Sequence, residues 1–251
     1  MAVQAFTNAS VLIGDLDASP FTNKVTSQVT VEMLDATVCG TGGFRSYSPG
    51  LRNGELSAEG FADYATGGTF EKLSTPDGGT STLMSMAPIA PGATLTAGDP
   101  CCFMRGPLDQ MTVGPDGEAA GLAKFGIHIA NDSVFAMGVV LHPIATRSTT
   151  ASGTAVALTG PTLTQTLWAG LHVTTGSGGT LTVRVQTDDN AGFTTPTTRI
   201  TFTATTGPVA MGEMKFLVPV NISTETHIRA DWTITAGSFT FAVNAGIVPN
   251  V

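Results

Sequence analysis

The sequence has few charged residues and no long apolar run. Only 12% of its 251 residues are Asp, Glu, Lys or Arg, compared with about 25% in an average soluble protein. No apolar run approaches the roughly 18 residues that a membrane helix requires, so we expect no membrane-spanning segment. A soluble chain with so little charge tends to associate, and we expect much of its exterior to be buried against other copies of itself. A polar surface rich in Thr, Ser and Asn is the alternative explanation.

Cysteine is also scarce. The chain contains Cys39, Cys101 and Cys102, and an odd number with one adjacent pair is a poor basis for a disulfide framework. We expect these cysteines to be small buried or interface residues. The N-terminal residues lack the basic start and apolar stretch of a signal peptide, which predicts that the chain is made and kept in a cytoplasm.

Basic residues are outnumbered by acidic ones, mainly in the first part of the chain. Residues 1–150 hold seven Lys and Arg against fourteen Asp and Glu, whereas residues 151–251 hold four against five. An acidic surface repels phosphate groups, which argues against nucleic-acid binding through a basic patch. The same repulsion is useful where nucleic acid has to slide past a surface without adhering.

Signatures of catalytic and metal sites are missing as well. The four histidines, His128, His142, His172 and His227, stand in strand patterns without metal-ligand spacing. No nucleophile-elbow, zinc-protease or phosphate-loop motif occurs. The acidic run 188–190 lacks the rest of a calcium-binding loop, so a hairpin turn explains it better. We therefore predict a protein that is not an enzyme and holds no metal or cofactor.

What the chain does contain is typical of an all-β protein. It is rich in Thr, Gly and Val and lacks a long apolar period of 3.6 residues. A short helix is predicted at 69–74, and Asn131-Asp132 predicts a tight hairpin turn between two strands. The strands expected in this region are Ser81–Met86, Cys101–Arg105, Leu122–Ala130 and Ser133–His142.

Two alternating strand patterns flank a long loop in the first half. In residues 28–34, Val29, Val31 and Met33 share a face that we expect to lie against a core. The loop at residues 40–54 is far longer than the roughly two to five residues usual between paired strands. It carries four residues of types enriched at protein interfaces, and we predict that it contacts a partner. These residues are Phe44, Arg45, Tyr47 and Arg52.

The second pattern, at residues 55–64, places acidic and apolar side chains on opposite faces. Leu56 and Ala58 alternate with the carboxylates, which share their polar face with Glu32 of the first pattern in our interpretation. The four carboxylates predicted to share this face are Glu32, Glu55, Glu59 and Asp63.

A small, polar, aperiodic stretch at residues 147–153 predicts a linker between two domains, 1–146 and 154–251. Six strands separated by turn residues predict that the second domain is a β-sandwich. The strands are expected at Gln165–Thr174, Thr180–Thr187, Thr198–Ala204, Glu213–Pro219, Thr226–Thr235 and Ser238–Ile247. The expected core aromatics are Trp168, Phe202, Phe216, Trp232, Phe239 and Phe241.

The order of these motifs resembles that of a known family. A strand, a Gly-rich loop and the segment Gly50-Leu-Arg-Asn-Gly-Glu-Leu-Ser-Ala-Glu-Gly60 resemble the major tail tube proteins of long-tailed bacteriophages, and residues 135–143 are similar to the strand that closes their tube domain. Residues 179–202 and 238–243 resemble a sandwich module that is often attached to virion proteins. Residues 74–117 carry little of the resemblance.

The resemblance implies a structural virion protein of a siphovirus-like tail. It implies a tube domain, a β-sandwich or barrel with a short helix, followed by an Ig-like or jelly-roll-like sandwich that decorates the tube. The inner sheets of neighbouring copies would join into hexameric rings, and the rings would stack into a tube through which DNA passes during ejection, without specific binding. A tape measure protein and a tail terminator are the further partners that it implies.

Two site hypotheses follow from combining the patterns with this resemblance. The 40–54 loop is our candidate for reaching the next ring, and the four carboxylates are candidates for lining an acidic channel. The alternative for the carboxylates is that they lie on the outer surface or pair with basic residues of neighbouring copies. Alternatives for the whole protein are a capsid decoration protein, a tail terminator, or a carbohydrate-binding virion module that would expose Trp168 or Trp232.

Overall fold

The computed structural model describes residues 8–35, 45, 47–65, 68–74, 81–115, 123–130, 132, 134–217 and 221–249. Its elements, in chain order, are β1 (Asn8–Ile13), β2 (Leu16–Asp17), β3 (Thr22–Asp35), β4 (Tyr47–Phe61), α1 (Thr69–Ser74), β5 (Ser81–Ile89), β6 (Pro100–Pro115), β7 (Ala123–Ala130), β8 (Phe135–Arg147), β9 (Ala151–Ser152), β10 (Val156–Ala157), β11 (Gln165–Ser177), β12 (Thr180–Asp188), β13 (Thr197–Thr201), β14 (Thr205–Thr206), β15 (Met211–Phe216), β16 (His227–Ile234) and β17 (Ser238–Pro249).

The strands form two antiparallel sheets, which confirms the predicted all-β class. The larger sheet has the order β15-β11-β17-β8-β6-β5-β1-β2, and from β6 a branch continues through β7 and β4 to β3. The smaller sheet has the order β10-β16-β12-β13, with β9 and β14 added at its margins. Among the described residues the one helix, α1, has six residues, and no described helix is long and apolar enough to cross a membrane.

Strand β6 belongs to both parts of the larger sheet. Its first part pairs with β5 and β8, and its last part, Leu108–Pro115, pairs with β7. We call the four strands β3, β4, β7 and this last part of β6 the branch sheet. One strand therefore carries the hydrogen bonding from the body of the protein into the branch sheet.

The predicted hairpin at Asn131-Asp132 is wrong. The strands on either side, β7 and β8, do not pair with each other but follow the same edge of β6 one after the other. The Asp132 amide donates to the Arg105 carbonyl at 3.1 Å, and Gly106 lies so close to the Ala130 carbonyl that a Cβ would overlap it. Strands β7 and β8 therefore lie one after the other beside β6, where a hairpin would have placed them side by side.

Three apolar clusters hold the sheets together. The first lies between the smaller sheet and β11 and β17, the second between the branch sheet and β1, β5 and β6, and the third inside the curl of the larger sheet. Phe202, Trp232, Phe239 and Phe241 are buried in the first cluster, as predicted. Burying apolar side chains on both sides of the larger sheet explains why its strands are rich in Val, Leu and Phe.

Two of the predicted core aromatics lie elsewhere. Phe216 is 53% exposed, so its assignment to the core is wrong, and Trp168 is half-buried against the third cluster. Their ring centroids are 4.6 Å apart. Phe216 is the last residue of β15, which is at the edge of the larger sheet, and a side chain at a strand end on a sheet edge has neighbours on one side only.

Most predicted elements are confirmed, with shifted ends. The helix at Thr69–Ser74, the strand pieces at 81–86 and 101–105 and all six strands of the second half are present. Residues 74–117, which carried little of the resemblance, include β5 and the sixteen-residue β6, the longest strand described.

The two ranges predicted as domains share one sheet. The last strand, β17, pairs with β8 on one side and β11 on the other, and the third cluster combines Phe103 with Met214. Ala151–Ser152, inside the predicted linker, form β9 and pair with β16. The domain boundary at 147–153 therefore stays a prediction from the sequence. In the structure, backbone hydrogen bonds connect the ranges on either side of it.

Candidate assembly surface

The hairpin of β3 and β4 projects from the body of the protein. The strands pair from Thr22↔Gly60 to Asp35↔Tyr47, with a bulge between Val31 and Met33. Every residue of β3 from Thr26 to Asp35 is exposed, on both faces of the strand. A two-stranded ribbon on its own is marginally stable at best in water, and the described side chains of this part of β3 pack against nothing on either face.

The prediction that Val29, Val31 and Met33 lie against a core is wrong for the single chain. Val29 is 46% and Met33 57% exposed. The core of the branch sheet ends near Val25, which packs against the second cluster, and β3 extends beyond it. The alternation of the sequence marks an apolar face correctly, but no described residue of the same chain covers it.

The branch sheet has two open edges, by which we mean edges without a hydrogen-bonded strand among the described residues. Strand β3 pairs only with β4. At the opposite side of the sheet β5 pairs with β6 only as far as Pro107, which leaves the outer edge of Leu108–Pro115 unpaired in the described structure. Open edges of this length are templates for pairing with another chain.

One face of the branch sheet is polar and concave. Cross-strand partners in an antiparallel sheet point to the same side, and the register Thr26↔Ser57↔His128↔Gln110 shows the composition of this face. The concavity has a volume of about 560 Å³. Its polar lining is Asn23, Ser57, Glu59, Gln110, Thr112, Lys124 and His128.

Glu55 and Glu59 lie on this polar face, and both have a basic side chain nearby. The Lys24 Nζ donates to Glu59 Oε1 at 2.6 Å, and His128 Nε2 lies 3.5 Å from Glu55 Oε2. Asn53 Nδ2 also donates to Glu55 Oε1 at 2.8 Å. The face therefore carries charges of both signs, and its character is polar and mixed.

The other two predicted channel carboxylates, Glu32 and Asp63, do not belong to the alternating residues 55–59 of β4. Glu32 is exposed at the bulge of β3, where the register shifts. Asp63 follows the end of β4 at Phe61, and its Oδ1 accepts a hydrogen bond from the Ala65 amide at 2.9 Å. The structure thus brings Glu55 and Glu59 together on one strand and gives Asp63 a role in the turn that leads to α1.

The four residues of the predicted contact loop are distributed differently from the sequence expectation. Strand β4 begins at Tyr47, so Tyr47 and Arg52 lie on a strand paired with Asp35 and Val31, not in a loop; their side chains fall outside the described structure. Arg45 is exposed, and Phe44 lies outside the described residues. The predicted loop was too long because its Gly and Ser content concealed the continuation of the strand pairing.

Sequence reasoning missed the contribution of β6 and β7 to this surface. Gln110 and Thr112 line the polar face and lie next to an open edge. The signal available was the alternation of polar and apolar residues in 110–113, which a strand assignment ending at Arg105 left out.

Two histidines are buried away from this surface and serve packing. Burial lowers the pKa of His172 to about 4, with the Gly14 carbonyl acting in the opposite direction. Burial, together with the nearby Arg147 cation, lowers the pKa of His142 to about 4. His142 stacks on Phe241, and its Nε2 accepts a hydrogen bond from Arg147 Nε at 2.9 Å.

The described cysteines and acidic run likewise have structural surroundings. Cys101 and Cys102 are buried and unpaired by disulfides, and burial raises the pKa of the Cys102 thiol to about 11; Cys39 lies outside the described residues. The Asp188 carboxylate accepts hydrogen bonds from the Asn190 and Thr195 amides, as in a turn. Within the described ranges, no cluster of three or more His, Cys, Asp or Glu could hold a metal ion.

Comparison with known proteins gives structural similarities at low identity. No protein-family model matches the chain, and no curated protein matches it in sequence. Among solved structures it is similar to the virion of a native gene transfer agent particle, at 18% identity over 51% of this chain and 95% of that chain, with a TM-score of 0.37.

Two further similar structures come from phage SPP1. The Dit (gp 19.1) protein, described as a paradigm of the hub adsorption apparatus, is 14% identical over 96% of this chain and 99% of that chain, with a TM-score of 0.35. The SPP1 tail tube is 11% identical over 53% of this chain and 81% of that chain, with a TM-score of 0.36.

Proposed function

We propose that this chain is a structural virion protein whose copies join edge to edge through the branch sheet, forming rings that stack into the tail tube of a long-tailed bacteriophage. The observation that carries the proposal is the pair of open edges, β3 and the Leu108–Pro115 part of β6, on opposite sides of one sheet. The resemblance of residues 50–60 to tail tube proteins supports the same function.

The two open edges suit pairing between copies. Successive strands of the branch sheet are antiparallel, so β3 and β6 run in opposite directions. When β3 of one copy pairs with β6 of the next, the joint is antiparallel and the sheet continues with the same curvature. Such a head-to-tail contact closes into a ring when its rotation permits closure. Closure satisfies both edges and removes the aggregation hazard of an exposed strand.

The polar, concave face of the branch sheet is the side that would face the lumen. The opposite face is occupied by the second apolar cluster, which includes Leu56, Ile127 and Ile129. Glu55 and Glu59 would face the channel, and we retain Glu32 and Asp63 as candidate lining residues. Like charge keeps DNA from adhering, and the Lys24–Glu59 ion pair moderates the acidity of this surface.

Further properties are proposed from the family resemblance. They are a ring of six copies, passage of DNA through the tube during ejection, and partnership with a tape measure protein and a tail terminator. A capsid decoration protein or tail terminator would use the same edges but stop at a closed ring or trimer. The carbohydrate-binding alternative required an exposed Trp168 or Trp232, and Trp232 is buried while Trp168 is half-buried.

Negative-stain microscopy of the purified protein tests the assembly. Hollow tubes are the expected result. Isolated rings or trimers would favour the terminator or decoration alternative, and a protein that remains monomeric at high concentration would contradict the proposal.

A cysteine pair tests which edges meet. Thr26→Cys and Gln110→Cys place exposed thiols at the same level of the branch sheet on its two edge strands, and Cys39→Ser removes a competing thiol. Paired strands bring Cα atoms within the roughly 4.4–6.8 Å that a disulfide needs. We expect a ladder of covalent oligomers on mild oxidation, with Lys24→Cys or Gln28→Cys replacing Thr26→Cys if the joint is staggered by two residues.

The matched control combines Thr26→Cys with Thr198→Cys, which is exposed on β13 at the edge of the smaller sheet. This control should give no ladder. Equal cross-linking of the control and all three edge pairs, or monomers alone from every edge pair, would show that these edges do not join.

A further inference from the structure

Exposed apolar side chains are concentrated on one hairpin and the segment that follows it. Of the eleven large apolar residues exposed in the described structure, seven lie between Val29 and Phe70. They form two groups. The aliphatic tip is Val29, Val31, Met33 and Leu34 of β3, and the aromatic end is Phe61, Tyr64 and Phe70, which lie at the end of β4, just after it and in α1.

The two groups lie at opposite ends of the same hairpin. Met33 pairs with Pro49 near the start of β4, whereas Phe61 is its last residue. At about 3.3 Å per strand residue, the twelve residues from Pro49 to Phe61 span about 40 Å. Val29 pairs with Gly54, seven residues before Phe61, so the two groups are at least about 23 Å apart. No single chain can therefore bring its own aliphatic tip onto its own aromatic end.

The aromatic end is held in a fixed position. The rings of Tyr64 and Phe70 lie 4.8 Å apart between centroids. The Asp63 amide donates to Thr69 Oγ1 at 2.7 Å, and Lys72 of α1 forms an ion pair with Asp15 at 2.5 Å. Leu73 anchors the helix in the second cluster. An aromatic pair that is 59% exposed at Tyr64 but rigidly mounted is suited to receive an apolar partner.

These two surfaces remain available after a ring has formed. The lateral joint uses the two edge strands of the branch sheet. Leu108, where the open edge of β6 begins, is level with Ser27 of β3 through the register Ser27↔Leu56↔Ile129↔Leu108. The part of β3 after Ser27 therefore extends past the open edge of β6. The aliphatic tip, from Val29 onward, thus projects beyond the lateral joint. It points along the hairpin, away from the aromatic end.

Resting on the proposed function, we propose that the aliphatic tip of one copy docks on the aromatic end, Phe61, Tyr64 and Phe70, of a copy in the next ring. The contact joins two different surfaces that lie at opposite ends of one strand pair. A head-to-tail contact of this kind, repeated along the hairpin direction without a closing rotation, is the condition for growth of an open-ended filament. Burial of the aliphatic side chains against the aromatic side chains of the other copy supplies the driving force.

Cross-linking tests the contact directly. In the Cys39→Ser background, Met33→Cys with Tyr64→Cys should give disulfides between copies in sedimented tubes and none in isolated rings. The matched control replaces Tyr64→Cys by Val209→Cys, because Val209 is also exposed and apolar but lies far from the hairpin in sequence. The control should remain unlinked.

A second measurement uses serine variants. Val31→Ser with Met33→Ser, and separately Tyr64→Ser with Phe70→Ser, should raise the critical concentration for tube growth at least tenfold while the Thr26–Gln110 ladder persists. Phe216→Ser, another exposed aromatic, should leave growth unchanged.

The outcomes separate this inference from the function it rests on. If the lateral cysteine pair links but Met33→Cys and Tyr64→Cys do not, the docking is wrong and the ring proposal stands. If neither pair links, both fail. If the serine variants lower the stability of the monomer without changing tube growth, a segment of the same chain covers the tip, and the inference is overturned.

Discussion

At the scale of single residues, His172 of β11 connects that strand to β5 and to the turn between β1 and β2. Its Nδ1 lies 2.8 Å from the Gly14 carbonyl and its Nε2 lies 2.7 Å from Ser85 Oγ. A neutral ring donates to the carbonyl and accepts from the hydroxyl, which satisfies both nitrogens. Because the ring is fully buried, the protonated form loses its hydration, and the pKa falls to about 4.

This pKa predicts the pH dependence of stability. The unfolded chain takes up the proton near pH 6.5 and the folded chain only near pH 4, so the unfolded state binds more protons between these values. The contribution of His172 is complete above pH 6.5 and declines as the pH falls towards 4. A shift of this size corresponds to about 3 kcal/mol of unfolding free energy. Urea denaturation of the wild type at pH 7 and pH 4 measures this decline together with that of His142, whose pKa is also lowered to about 4.

Variants assign the decline to this residue. His172→Met should lower stability at pH 7 but show a smaller loss between pH 6.5 and 4, because it has no proton to gain. Ser85→Ala removes a hydrogen bond without removing the titration and should keep most of the wild-type slope. If His172→Met and the wild type lose equal stability, the pH dependence lies elsewhere.

At the scale of the elements, the close contact of β8 with β17 depends on glycine. A Cβ at Gly138 would overlap the Ala245 carbonyl, whereas a Cβ at Gly126 of β7 would meet only Glu59 Cγ at 3.9 Å, an ordinary contact. Gly138→Ala forces the two strands apart and should destabilise the protein by about 1–3 kcal/mol. Gly126→Ala should change stability by less than about 0.5 kcal/mol. Thermal unfolding of both variants compares them, and equal stability would argue against a tight β8–β17 contact.

The elements also show which parts of the assembly surface were predictable. The alternation of Glu55, Ser57 and Glu59 with Leu56 and Ala58 is confirmed, because a strand with one packed face imposes a period of two on its own residues. The sequence did not show which strands pair with each other. Two strands separated by a turn-like dipeptide are usually a hairpin, yet β7 and β8 both pair with β6, and nothing local to residues 131–134 distinguishes the two arrangements.

At the scale of the whole molecule, the chain folds as connected sheets. Strand β17 supplies the neighbour of β8, and Trp168, Met214 and Val248 complete the third cluster against residues of the first half. A fragment of residues 1–147 would expose the edge of β8 and part of this core. We expect it to aggregate or to lack the dispersed NMR spectrum and cooperative unfolding of the full chain.

The same fragment examines the predicted domain boundary. A soluble 1–147 fragment with cooperative unfolding would make 147–153 a boundary between independently folding units. If the fragment does not fold, as we expect, residues 147–153 separate two sequence modules that do not fold independently. The full chain, measured under the same conditions, is the reference.

The sequence by itself determined the all-β class, most strand positions in the second half and the division of the 55–60 strand into a polar and an apolar face. These properties depend on side-chain volume, turn chemistry and periodicity within one segment. Only the tertiary structure decided that β17 lies between β8 and β11, that no residue in the described ranges covers the apolar face of the β3–β4 hairpin, and that the branch sheet ends in two open edges. Those outcomes depend on hydrogen bonds and packing between segments far apart in the chain, where many pairings satisfy the same local pattern and the competition among them is settled by the complete set of contacts.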